Sequence, residues 1–158
     1  MILNRNELQE KVIECVDELT LLQVLKGILR IPSFPGEETA CARYILNWMN
    51  ERGFETDLME VEEGRLQPVG RIMGSGGGPV LVFNGHMDID AWFEGPKDNP
   101  FEPMIIEIDG ERRIFAQGLS NMKGGVVCFL MAGDAIKRAA NKYGIDLKGD
   151  LVLAPVVG

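Results

Sequence analysis

Val80-Leu81-Val82-Phe83-Asn84, followed at once by Gly85-His86-Met87-Asp88, is the stretch from which the fold is read. The apolar run is too short for a helix and is bounded by Gly78-Pro79 and Gly85. It therefore predicts a buried strand that delivers His86 and Asp88 to its C-terminal end, which is where ligands bind in open α/β sheets. In extended chain, residues two apart share a face, so Asp88 can hold the His86 imidazole through one ring nitrogen and leave the other free for a metal. His86 is the only histidine in the chain. A lone histidine is more often a surface or core residue than a ligand, so the surrounding pattern has to carry the argument.

Upstream, Leu8, Val12, Cys15, Val16, Leu19, Leu22, Leu25 and Leu29 recur at three- and four-residue spacing. They predict a helix capped by Asn6 and running to Ile28 or Leu29, with a small break near Thr20, before Pro32 ends it. Residues 37–52 predict a second amphipathic helix with Cys41, Ile45, Trp48 and Met49 inward, an acidic first turn and Gly53 as its stop. Residues 54–61 and 66–73 read as strands joined by a turn at Glu63-Gly64 and paired near the histidine strand. The glycine run 74–78 lacks the Gly-Lys-Ser/Thr ending and the following helix of a phosphate loop, and reads as a flexible hairpin connection.

Downstream, residues 90–103 carry Pro96, Pro100 and Pro103 without periodicity and read as a surface loop near the site. Asp109-Gly110-Glu111, flanked by residues 105–108 and 112–115, predicts a hairpin. A helix is expected from Asn121 to Tyr143, stopped by Gly144, with Asn121 well suited as its N-cap. Lys123-Gly124-Gly125 reads as tight packing at the helix start. Residues 150–157 are nearly all apolar, as in a strand covered on both faces.

With 158 residues and 46% hydrophobic content, the chain can bury one core of ordinary domain size. The net charge of −8 and the lack of a Lys/Arg cluster argue against nucleic acid or anionic membrane as partners. No signal-length or membrane-length apolar block is present, so a cytoplasmic location is the expectation. Cys15, Cys41 and Cys128 are odd in number and lie among apolar neighbours, which predicts buried thiols rather than disulfides or a cysteine zinc site.

Gly85-His86-x-Asp88, Trp92, Asn99-Pro100-Phe101, Asp109-Gly110, Gly118 and Met122-Lys123-Gly124-Gly125, in this order and spacing, resemble the zinc-dependent deacylase and exopeptidase family of acetylornithine deacetylase, succinyl-diaminopimelate desuccinylase and aminoacylase. Ile31-Pro32-Ser33 and Gly36-Glu37-Glu38 extend the likeness toward the N-terminus. The resemblance implies an α/β fold, a three-layer sandwich with a mixed, mainly parallel sheet. It also implies that residues 1–158 form the N-terminal part of a catalytic domain, truncated before the paired carboxylates and without the lid that binds substrate and mediates homodimerisation.

The implied chemistry is hydrolysis of a small N-acyl amino acid or short peptide with zinc, or cobalt or manganese in its place, as one or two ions in the complete protein. His86 and Asn121 stand at metal-ligand positions and Asp88 at the catalytic position that orients the imidazole. Two departures matter. Asn121 occupies the place of a bridging aspartate and, being neutral, should weaken a second metal site. Ala116-Gln117-Gly118 stands where the family usually has Gly-Arg-Gly. A non-catalytic paralogue that serves as a binding protein is the alternative these departures leave open.

Overall fold

The N-terminal periodicity is divided between two helices, α1 (Arg5–Ile13) and α2 (Glu18–Leu29), because Asp17 breaks the run and restarts it. Its carboxylate accepts from the Leu19 and Thr20 N–H groups and the Thr20 hydroxyl, and the Thr20 hydroxyl is the main reason its carboxyl sits below the ordinary range. Asn6 lies inside α1, and the cap is Asn4, whose side chain takes the Asn6 and Glu7 N–H groups while the Glu7 carboxylate takes the Asn4 N–H. That reciprocal pair is a capping box. The computed structural model describes residues 4–90 and 99–158.

Helix α3 (Thr39–Glu51) buries Cys41, Ile45, Trp48 and Met49 as their spacing predicts, and ends before Gly53 at φ 68°. Its first turn holds no acidic residue. Glu38, just before it, is buried and paired with Arg65 across 2.5 Å. Burial would raise the Glu38 carboxyl, but the Arg65 guanidinium and backbone donors outweigh it and hold the group below its usual value.

Strands β1 (Glu55–Glu62) and β2 (Arg65–Ile72) form the expected antiparallel hairpin. β3 (Leu81–His86) does not continue it. The sheet order is β1-β2-β6-β3, with the last strand of the chain, β6 (Leu151–Val156), inserted antiparallel to β2 and parallel to β3. The layered α/β architecture and mixed sheet are those the resemblance implies. Parallel pairing is confined to β3–β6, because β1–β2 is a hairpin and β6 runs back along β2.

Since β6 intervenes, the glycine run 74–78 crosses over instead of closing a hairpin. It is held by Ser75 N–H on the Leu147 oxygen, Gly78 N–H on the Lys148 oxygen and Gly74 N–H on the Asp150 carboxylate. β3 is an edge strand of this sheet, so Val80, Leu81 and Val82 are each more than half exposed, against the expectation of a buried strand.

Helix α4 (Gly124–Tyr143) ends at Gly144 in the left-handed region, as read from the sequence. Gly70 and Leu153 are register partners, and Met49 of α3 lies over the first while Gly133 of α4 lies over the second, so both helices cover one face of the sheet. α2 packs across them, and Ile28, Leu29, Ile45, Met49, Leu130 and Leu153 are fully buried in the shared core. β4 (Met104–Ile108) and β5 (Glu111–Phe115) form a separate hairpin with Asp109 and Gly110 both at positive φ, the turn that Asp-Gly predicts. Cys15 and Cys41 are buried thiols, and burial pushes Cys41 up to about 11. Cys128 is exposed on α4.

Candidate metal centre

β3 ends at His86, and the next three residues are fixed by β6 on one side and by Ser33 on the other. Met87 and Ile89 are buried, the Met87 N–H donates to the Val156 oxygen, and the Ser33 hydroxyl donates to the Met87 oxygen across 2.7 Å. The Ile89 N–H returns to the Ser33 oxygen at 2.9 Å. Ser33, in the Ile31-Pro32-Ser33 turn, therefore clamps the segment that carries His86 and Asp88. On the other side, Gly85 permits the approach of Met122 and Phe129, since a Cβ there would stand 2.9 Å from the Met122 methyl carbon.

The Ser33 clamp has a measurable consequence. Ser33→Ala leaves the buried Met87 carbonyl without its donor, and unfolding in urea is expected to detect a loss of about 1–3 kcal/mol. An unchanged midpoint and slope would remove the clamp from the description.

Around the His86 ring, Nδ1 faces two oxygens, the Asp88 carboxylate Oδ1 at 2.9 Å and the Asp88 backbone oxygen at 3.1 Å. The ring N–H aligns on the backbone oxygen, which leaves the buried Oδ1 close to the ring without an aligned hydrogen bond. With only acceptors before it, Nδ1 carries the proton and Nε2 has a free electron pair. Nε2 stands 3.1 Å from the Asn121 side-chain oxygen. The Asn121 amide is oriented by its own nitrogen, which donates to the Asp90 carboxylate at 3.1 Å. With the ring proton on Nδ1, two electron-pair donors face each other, an arrangement that a cation or a second proton on Nε2 completes.

Asn121 is held there by an irregular turn over Leu119–Lys123, in which it is non-helical (φ −132°, ψ 91°). The expectation that Asn121 caps α4 is corrected, because α4 has no side-chain cap and the Asn121 amide is committed to His86 and Asp90. The turn is anchored by Lys123, which is fully buried and donates from Nζ to the Ile28 oxygen at 3.2 Å and the Ile31 oxygen at 2.5 Å, at the end of α2. Burial lowers its ammonium pKa. Lys123 thus joins the turn to α2, a role beyond the close packing read from Lys123-Gly124-Gly125.

The structure brings His86, Asp88 and Asn121 together. It adds Asp90, which the sequence reading passed over, and gives a contact to Gln117, which that reading noted only as a departure from the resembled pattern. Gln117 donates to the Asp90 backbone oxygen at 3.3 Å. Asp90 stands two residues beyond Asp88, the same alternation that linked Asp88 to His86, and this spacing was the available signal. Trp92 lies outside the described residues. The donor chemistry fits part of a zinc site: one imidazole nitrogen with its proton anchored behind it and one amide oxygen can share an ion. Among the described residues no group of three or more His, Cys, Asp or Glu side chains is placed to hold a metal.

No protein-family model matches the chain, and the likeness is carried by individual proteins. The chain is 35% identical over 158 residues to the N-formyl-4-amino-5-aminomethyl-2-methylpyrimidine deformylase of Bacillus subtilis (strain 168), across 96% of this chain and 35% of that protein. It is 29% identical over 110 residues to the succinyl-diaminopimelate desuccinylase of Legionella pneumophila (strain Corby), across 68% of this chain and 27% of that protein. In structure it matches an M20 family metallo-carboxypeptidase from Sulfolobus solfataricus with a TM-score of 0.64 at 25% identity, covering 89% of this chain and 31% of that one.

The chain belongs to the M20 family. This M20 chain spans about a third of the length of the curated relatives it matches. Human carnosine dipeptidase 1 shares its fold, with a TM-score of 0.70 over 94% of this chain and 34% of the dipeptidase at 18% identity. Among the described residues of this M20 chain, no helix is long and apolar enough to cross a membrane.

Proposed function

We propose that residues 1–158 form the N-terminal part of the catalytic domain of a metal-dependent amidohydrolase that removes an acyl group from a small N-acyl amine or amino acid, or cleaves a short peptide. The observation that carries this reading is the pair of facing donors, His86 Nε2 and Asn121 Oδ1, 3.1 Å apart with the imidazole proton anchored behind them. The relatives support the substrate class: a deformylase and a desuccinylase each take an acyl group from their substrate.

When bound, zinc supplies a Lewis acid for the substrate carbonyl and lowers the pKa of a water. The chain's own residues prepare the place for it. His86 and Asn121 would hold the ion. Asp88 fixes the imidazole tautomer and ring orientation, so Nε2 is presented as a lone pair without a search through ring rotamers. Ser33 and the buried Met87 and Ile89 keep that segment rigid. The cleft lined by Asp90, Gln117, Ser120 and Asn121 opens beside the donors and would receive the acyl group or the amine.

The test is the charge at position 121. Asn121→Asp puts a carboxylate where a neutral amide now faces His86, and zinc titration followed by calorimetry is expected to show severalfold tighter binding, at least about one kcal/mol. In the presence of chelator the same variant should be no more stable than the parent, because the new carboxylate stands against Asp90. If it binds no more metal and no more tightly, the non-catalytic binding protein becomes the better account of this chain.

A further inference from the structure

Two of the positions at which this chain departs from the pattern it resembles, Gln117 and Asn121, contact one residue. Asn121, in place of a bridging aspartate, donates its side-chain N–H to the Asp90 carboxylate, and Gln117, in place of an arginine, donates its side-chain N–H to the Asp90 backbone oxygen. Asp90 is exposed and lines the cleft beside His86, so no packing requirement explains a charged side chain there.

An asparagine at a ligand position has a weakness that an aspartate lacks, because its two ends are nearly the same shape and opposite in hydrogen-bonding character. Beside an imidazole whose Nδ1 holds the proton, the stable orientation for an unsupported amide turns the NH₂ group toward Nε2. That would make an ordinary hydrogen bond and occupy the lone pair a metal needs. The observed orientation is the reverse, with Oδ1 toward Nε2 and Nδ2 on the Asp90 carboxylate. Turning the amide over would face its oxygen against that carboxylate, so Asp90 forbids it.

We infer that Asp90 is a positioning residue that locks the Asn121 amide with its oxygen toward His86, and that supplies a negative charge beside that neutral amide. This inference rests on the metal-binding reading of the site. Gln117 assists by holding the Asp90 backbone, tying the 116–118 segment to the end of the histidine strand.

The single histidine makes the test direct, since a ¹⁵N-labelled chain gives one imidazole spin system. Without metal, the parent should show no through-space contact between the Asn121 NH₂ protons and the ring carbon protons, and Asp90→Ala should acquire it as the amide turns. Zinc chloride titrated into the parent should shift Nε2, with affinity falling about tenfold in Asp90→Ala, the usual scale for losing a partner that orients a ligand.

Asp90→Asn keeps an acceptor oxygen without the charge. It should preserve the amide orientation and lose only part of the affinity. In the Asn121→Asp background there is no amide to turn, so Asp90→Ala should weaken zinc binding by less than it does in the parent. An Asp90→Ala variant with the parent's amide orientation and zinc affinity within twofold of the parent's overturns the inference. Zinc that leaves the parent's Nε2 unmoved overturns the metal reading instead, while the metal-free amide contact still decides what Asp90 does.

Discussion

Lys123→Ala is expected to cost the fold about 3–5 kcal/mol, more than any other single change at the site. Two effects add. The Ile28 and Ile31 carbonyls at the end of α2 lose the buried donor that serves them, and three methylenes and an ammonium leave a void where the surroundings are fully packed. Lys123→Met fills most of that volume and removes only the donor, so about 2 kcal/mol is expected from it. Chemical unfolding of both variants separates the two contributions. Should both fall within 1 kcal/mol of the parent, water reaches these carbonyls and the lysine is not the anchor described. Because the same side chain fixes the turn that carries Asn121, the alanine variant should also lose the ordered contact between Asn121 and His86 before the chain unfolds globally.

The second large effect concerns rate. The 158-residue chain alone, supplied with zinc, cobalt or manganese, is expected to hydrolyse N-formyl or N-acetyl amines no faster than the metal ions themselves. Amide hydrolysis needs a held ion and a base that moves a proton from water to the leaving nitrogen. Among the described residues the site offers two neutral donors. Of the two carboxylates beside them, Asp90 is engaged with the Asn121 amide, and the Asp88 Oδ1 is buried behind the imidazole, 2.9 Å from Nδ1 and on the side away from Nε2. Loss of the base alone typically lowers the rate on the order of 10²–10⁴-fold. Metal-stimulated turnover that disappears in His86→Ala would show that the chain finds its base among its own residues.

Much of the scaffold could be read from local chemistry. The α3 core stripe, the Asp109-Gly110 turn and the Gly144 stop each depend on a few neighbouring residues, and each is where the sequence placed it. The N-terminal helix was misdivided because an amphipathic period continues through Asp17, while the cap that interrupts it depends on backbone geometry that periodicity does not record.

The histidine strand was expected to be buried, and its exposure has a different origin. A run of apolar residues reports what a strand could bury, whereas its place at the edge is decided by β6, which takes the position between β2 and β3. At the site, His86, Asp88 and Asn121 were legible as a motif. The orientation of the Asn121 amide was not, because it depends on Asp90 and Gln117, which are 31 and four residues away in sequence and were chosen by the turn rather than by any periodic pattern.

The insertion of β6 between β2 and β3 also sets an order of events at the ribosome. β1 and β2 can zip into a hairpin as soon as they emerge, but β3 emerges with its neighbour in the sheet not yet made, since that neighbour is residues 151–156. Through the synthesis of the β4–β5 hairpin and the whole of α4, the nascent segment that ends in His86 must keep Val80, Leu81 and Val82 in a state fit for later pairing. Non-local pairing of this kind folds slowly and leaves strand edges open to other chains. The interval between the synthesis of residues 86 and 156 is therefore the one in which β3 waits without the strand it pairs with and stands open to other chains.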